Sequence, residues 1–71
     1  MKKFKILIPV YNDWESLVKL LEEINKIIKD IKNVEFDCIV INDASNIKPP
    51  KLKSPQNIKK LQLINMKQNR G

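Results

Sequence analysis

The sequence has no histidine, one cysteine and one glycine, and these scarcities exclude several kinds of chemistry. Without histidine, neither a Cys/His zinc site nor a Ser-His-Asp or Cys-His catalytic apparatus can form. The lone cysteine, Cys38, excludes an internal disulfide framework and favours a cytoplasmic setting. Because the one glycine is Gly71, the chain has neither a G-x-G-x-x-G turn nor a G-x-x-x-x-G-K-[ST] phosphate loop. Any nucleotide must be held by side chains and ordinary turns.

Long apolar runs are also missing. The longest cover residues 6–8 and 38–41, far below the ~18 residues that a membrane-spanning helix needs. No small-residue cleavage site follows Lys2 and Lys3, which argues against a signal peptide. With 42% hydrophobic and 31% charged residues, the 71-residue chain has the balance of a soluble globular protein of one domain at most.

Positive charge is concentrated in the second half of the chain. Residues 1–43 carry seven lysines against eight acids, whereas residues 44–71 carry seven basic residues and no acid. Such a segment can attract the phosphate of a nucleotide, a nucleic acid or an anionic lipid, but the simpler interpretation is a solvated lysine-rich surface. The same segment has no aromatic residue to stack on bases, so nucleic acid is not the expected partner.

The hydrophobic pattern of the first half predicts a strand, a long helix and a second strand. Residues 5–10 and 36–42 each contain a run of apolar residues without polar alternation, at 6–8 and 38–41, as in strands buried on both faces. Between them, apolar residues at three- and four-residue spacing predict a helix over residues 14–32. Asn12, with Glu15 three residues later, fits a capping-box start for this helix.

A loop and a third strand follow. Residues 43–57 contain three prolines and no helical stripe, whereas residues 60–66 alternate as in an edge strand. The expected fold class is α/β, a Rossmann-like parallel sheet of three strands in the order 3-2-1 with one long crossover helix. One helix covers one face, so an apolar strip on the other face should stay uncovered. We therefore expect residues 1–71 to be the N-terminal part of a single larger domain, with completion by a partner chain as the alternative.

Two segments end at the rim where open α/β sheets bind ligands, the carboxyl ends of the strands. They are ILIPVYN at residues 6–12 and IVINDAS at residues 39–45. The first looks like the opening of the family 2 glycosyltransferases of the GT-A fold. The second resembles their second-strand motif, hydrophobic residues followed by Asp-Asp-Gly-Ser or a close variant. QNRG at residues 68–71 is similar to the Asn-x-Gly stretch after their third strand. The resemblance covers the whole chain, but only the first quarter to third of a typical family member.

This resemblance implies a nucleotide-sugar donor, with a uridine nucleotide favoured, in an incomplete GT-A domain. Tyr11 would stack on the base, and Asp43 would accept a hydrogen bond from the ring N–H of uracil. Pro9 and Val10 would line the base pocket. The residues alone also allow plainer roles, because Tyr11 could end a strand with its hydroxyl in water and Asp43 could accept turn amide hydrogens.

The sequence departs from the family pattern at two rim positions. Asn42 stands where the first Asp is usual, and Ala44 replaces a common Gly, so a positive φ is harder to adopt there. The family's metal-binding Asp-x-Asp and catalytic base would lie beyond residue 71. The implied Mg or Mn ion thus has no ligands in this chain, which is expected to be inactive in isolation. The acceptor, and any peripheral association with the inner face of a membrane, would belong to the longer parent.

Two other classes of function remain open. A small basic α/β module could bind phosphate or nucleic acid through residues 44–71, with a steep salt dependence. A receiver-like interaction domain would hold a metal on acids at the strand ends. Asp43 supplies one such carboxylate, whereas Asp13 belongs to the start of the helix.

Overall fold

The computed structural model describes residues 1–66 of the chain. Its elements are β1 (Lys2–Val10), α1 (Trp14–Ile28), β2 (Val34–Asp43) and β3 (Lys60–Met66). The strands form one parallel sheet in the order β1-β2-β3, which confirms the expected α/β class and strand order. The QNRG segment lies outside the described residues. No helix within residues 1–66 is long and apolar enough to cross a membrane.

The crossover helix is shorter than the sequence pattern predicts. α1 has 15 residues and ends at Ile28, so the predicted end near residue 32 is wrong. Beyond it, the Ile31 N–H donates to the Ile28 carbonyl at 3.1 Å, and Asn33 adopts a φ of 64° that turns the chain into β2. Ile31 stays 42% exposed. Another helical turn would therefore have buried little apolar surface, and packing is what stabilises most helices in proteins.

The hydrophobic core lies between α1 and one face of the sheet. From α1 it takes Trp14 and every third or fourth residue after it, and from the strands it takes alternate residues. Val40 and Cys38 are fully buried at its centre. Burial raises the pKa of the Cys38 thiol, and the negative charge of Asp37 acts in the same direction. Trp14 and Cys38 are thus core residues, in agreement with their positions in the sequence pattern.

The connection between β2 and β3 packs on the same face as α1. Ile58 is 2% exposed and belongs to the core, and Leu52 packs against it. The Asn57 N–H donates to Oδ1 of Asn25 in α1 at 2.7 Å, and Nδ2 of Asn57 donates to the Asn25 carbonyl at 3.1 Å. A loop therefore takes the position beside α1 that a second crossover helix would occupy.

Within residues 1–66, nothing covers the opposite face of the sheet. Leu7 is 61% exposed and Ile64 is 40% exposed, whereas their strand neighbours Ile8 and Leu63 point toward the core. Ile39 lies beside Leu7 in the sheet and is half-buried. The expected uncovered apolar strip is confirmed.

Candidate functional site

The sheet register brings the ends of β1 and β2 to the same rim. Val10 pairs with Asn42, so the next residue on each chain segment is Tyr11, just past the end of β1, and Asp43, the last residue of β2. Such strands lie about 4.8 Å apart. Tyr11 is 59% exposed, and Asp43 is also exposed. An aromatic ring and a carboxylate are therefore available to solvent at adjacent positions of the rim.

Three of the four predicted site residues line one depression. Pro9, Val10 and Tyr11 border a hollow of about 180 Å³ together with Asp13, which precedes α1, and residues from the first half of α1, among them Ser16. β2 contributes no residue to its lining, so the hollow lies beside the edge of β1 that faces away from β2.

Asp43 does not line this hollow. It occupies the last position of β2, opposite Met66 of β3, and alternates with the buried Asn42. By that alternation it belongs to the uncovered face of the sheet. The described residues thus place Tyr11 and Asp43 on one rim but do not enclose both in a single pocket.

The predicted N-cap of α1 is one residue too early. Asp13 is the N-cap, and its Oδ1 accepts a hydrogen bond from the Ser16 N–H at 3.2 Å. Asn12 lies outside the helix with a φ of 62°. Its backbone is left-handed, a conformation that asparagine tolerates better than most residues. The Asn12 side chain is therefore free to contact the loop that follows β2.

Three hydrogen bonds join Asn12 to this second loop. Its Oδ1 accepts from the N–H groups of Asn46 at 2.9 Å and Ile47 at 3.1 Å, and its own N–H donates to Ser45 Oγ at 2.8 Å. Nε1 of Trp14 donates to the Ile47 carbonyl at 3.0 Å. The loops after β1 and β2 thus form one hydrogen-bonded unit.

Asn42 is the buried polar residue at the base of this unit. It is 7% exposed, its Oδ1 accepts from the Ser45 N–H at 3.1 Å, and its Nδ2 donates to Asn65 Oδ1 at 2.9 Å. An amide can donate and accept at once, which an ionised Asp at this position could not do. The Ser45 amide is bonded to Asn42 rather than to Asp43, so the Asp43 carboxylate is not used for that turn.

Ala44 adopts a φ of 56°, which is a left-handed conformation. In the second-strand motif that residues 39–45 resemble, this position is commonly Gly. Alanine was expected to adopt a positive φ less easily than glycine. For a residue with a β-carbon, the left-handed conformation costs about 1–2 kcal/mol. The hydrogen bonds of the neighbouring residues hold the chain in this conformation nevertheless.

Asn12 and Ser45 belong to the two rim segments identified in the sequence, but their hydrogen bonds and the contribution of Asn65 were not predicted. The available signal was an asparagine at each strand end, since Asn12, Asn42 and Asn65 follow or close the three strands. Asparagine tolerates left-handed backbone and can bond to neighbouring loop amides.

Acidic groups at the rim do not form a metal site among residues 1–66. No group of three or more Cys, Asp or Glu residues there is arranged to hold a metal ion. The described residues therefore do not fit the Mg or Mn ion that the resemblance implies for a longer parent.

No family model matches the sequence, and comparisons with curated proteins and with solved structures also gave no match.

Proposed function

We propose that residues 1–71 form the donor-nucleotide-binding front of a glycosyltransferase of the GT-A fold, which would transfer a sugar from a UDP-linked donor. The observation that carries the proposal is the register of β1 and β2. The two segments that resemble family motifs end neighbouring parallel strands, with Val10 opposite Asn42. Tyr11 and Asp43 consequently share the rim where such sheets bind ligands.

The exposed side chains at this rim have the chemistry that a uracil base requires. Tyr11 is 59% exposed, and its ring can offer a stacking face, worth about 1–3 kcal/mol per base in other proteins. Asp43 offers a charged acceptor for the ring N–H of uracil, a strong type of hydrogen bond. Pro9 and Val10 are the last two residues of β1 and would border the base beside Tyr11.

The backbone of Ala44 also supports the proposal. The motif places Gly after its acidic pair, and Ala44 has the positive φ that glycine adopts readily. The turn after β2 thus has the conformation that the motif's glycine would allow, although the residue differs.

Catalysis is assigned to residues outside this segment. When bound, a divalent metal would stabilise negative charge on the leaving diphosphate, but the described residues do not supply its ligands. We assign no catalytic residue to residues 1–71 and expect the segment alone to bind nucleotide without transferring sugar.

Calorimetric titration of UDP into the natural full-length protein tests this proposal. Asp43→Ala should weaken binding by about 1.5–3 kcal/mol through loss of a charge-assisted hydrogen bond. Tyr11→Ala should weaken it by about 1–3 kcal/mol, whereas Tyr11→Phe keeps the stacking face and most of the affinity.

Asp37→Ala is the matched control for Asp43→Ala. Asp37 is an acid on the same strand and face, but it pairs with Lys5 and Lys60 far from the rim. Its removal should leave UDP affinity unchanged. Equal affinity in wild type and a folded Asp43→Ala protein would contradict the assigned role. Salt-sensitive binding of an oligonucleotide in the absence of UDP binding would instead favour the basic-module alternative.

A further inference from the structure

We propose that Asn12 is the positioning residue of the rim, which holds residues 44–47 in place and thereby fixes the direction of Asp43. The inference rests on the proposed function for its ligand, UDP. Its structural part concerns the two loops alone and can be tested without any ligand.

The geometry assigns Asn12 to this role because it bonds to three consecutive residues of the other loop. Its Oδ1 accepts from the amides of Asn46 and Ile47 at 2.9 and 3.1 Å, and its N–H donates to Ser45 Oγ at 2.8 Å. These partners are 33 to 35 residues away along the chain. One residue therefore links the loop that carries Tyr11 to the loop that follows Asp43.

Asp43 is held on both sides by this arrangement. On one side Asn42 is buried and bonded to Asn65 and Ser45, at 2.9 and 3.1 Å. On the other side lie residues 44–47, bonded to Asn12 and, through the Ile47 carbonyl, to Nε1 of Trp14. The backbone at Asp43 is therefore held on both sides before a ligand arrives, which limits the directions open to the carboxylate. Such preorganisation favours binding because less ordering remains to be done.

The position requires both a left-handed backbone and a side-chain acceptor. Asn12 has a φ of 62°, which asparagine, aspartate and glycine tolerate best. Glycine would retain the backbone conformation but lose the acceptor for two amides. Aspartate would retain the acceptor. Comparing these two replacements therefore distinguishes the effect of the side-chain hydrogen bonds from the effect of the backbone conformation.

A matched control exists at the opposite end of the sheet. Asn33 has a φ of 64°, almost equal to that of Asn12, and precedes Val34, which pairs with Lys2 at the start of β1. Asn33→Gly makes the same chemical change in the same backbone conformation, but away from the rim.

The first measurement is calorimetric titration of UDP into the natural full-length protein and its variants. Asn12→Gly should weaken binding about tenfold through loss of two hydrogen bonds. Asn33→Gly should leave the affinity at the wild-type value. Equal affinities of the two glycine variants would overturn the proposal.

Should Asn12→Gly fail to fold, Ser45→Ala removes the third hydrogen bond alone, and an affinity loss of about threefold is expected. An unchanged affinity for Ser45→Ala would then count against the proposal.

The second measurement is amide hydrogen exchange by NMR without nucleotide. The amides of Asn46 and Ile47 should exchange about tenfold faster in Asn12→Gly than in wild type, and should stay slow in Asn12→Asp and Asn33→Gly. Exchange that does not change in Asn12→Gly would refute the positioning role. Absence of UDP binding in the wild-type protein would reject the proposed function, and the exchange result would then decide the role of Asn12 by itself.

Discussion

Ala44 combines a β-carbon with a left-handed backbone, φ 56°, at the turn after β2. This combination strains the turn, and glycine would relieve it. Glycine also makes the unfolded chain more flexible, which offsets part of the gain. We expect Ala44→Gly to raise the free energy of unfolding by about 0.5–1 kcal/mol, measured by urea denaturation. Asn33→Gly should raise the free energy of unfolding by less, because Asn33 has a similar φ and asparagine tolerates it better than alanine does. A loss of stability in Ala44→Gly would contradict the explanation.

Cys38 makes stability depend on pH in the alkaline range. Burial raises the pKa of its thiol, with a smaller contribution in the same direction from Asp37. The unfolded chain therefore releases the thiol proton at a lower pH than the folded chain. Its stabilising contribution is fully present below the ordinary thiol pKa of about 8.5 and is lost as pH rises through the raised value in the folded protein.

The corresponding measurement compares wild type with Cys38→Ala by urea denaturation between pH 7 and 10. The free energy of unfolding of wild type should fall more steeply above about pH 8.5 than that of the variant, in which the thiol is absent. All other side chains are the same in both proteins, so their contribution cancels in the comparison. Parallel pH profiles would show that the thiol makes no such contribution.

At the scale of elements, α1 contributes to stability mainly through its buried side. Leu21 is 3% exposed, whereas its neighbour Leu20 is 44% exposed. Leu21→Ala should destabilise the fold by about 2–5 kcal/mol because it leaves a cavity against the sheet. Leu20→Ala keeps the helix propensity and should cost about 1 kcal/mol or less. Thermal unfolding followed by circular dichroism measures both, and equal losses would show that the helix packs differently.

Strand β1 is more hydrophobic than its burial in this structure requires. Its apolar run predicts cover on both faces, but Leu7 on the second face is 61% exposed. The run is consistent with the proposal of a larger domain, because strands inside parallel sheets are apolar on both sides.

At the scale of the whole molecule, the uncovered face of the sheet should bind hydrophobic dyes. Leu7 and Ile64 are 61% and 40% exposed on this face. An anilinonaphthalene dye should therefore fluoresce in the presence of the folded 71-residue chain, and Leu7→Gln should reduce the signal. Ile27→Gln is the control, since Ile27 is 65% exposed but lies on α1. Equal signals from both variants would show that the dye does not bind to the sheet.

The local sequence pattern by itself predicted the elements and their order. The observed β3, Lys60–Met66, has the predicted bounds, and β1 and β2 extend the predicted strands by a few residues. These features follow from the period of apolar residues, which is a property of neighbouring positions in the chain. The shared rim of Tyr11 and Asp43 also follows, because parallel strands joined by a crossover end on the same side.

The tertiary structure decided the end of α1, the choice of Asp13 as N-cap and the role of Asn12. The end of α1 depends on packing, because Ile31 stays 42% exposed. The other two depend on contacts between residues far apart in the chain, such as the Asn12 side chain with the amides of Asn46 and Ile47. Asn12 and Asp13 are both good capping residues, so local preference could not separate them. The loop after β2 determines which of the two caps the helix. Its amides at Asn46 and Ile47 donate to the Asn12 side chain, and Asp13 accepts the hydrogen bond from the first turn of α1.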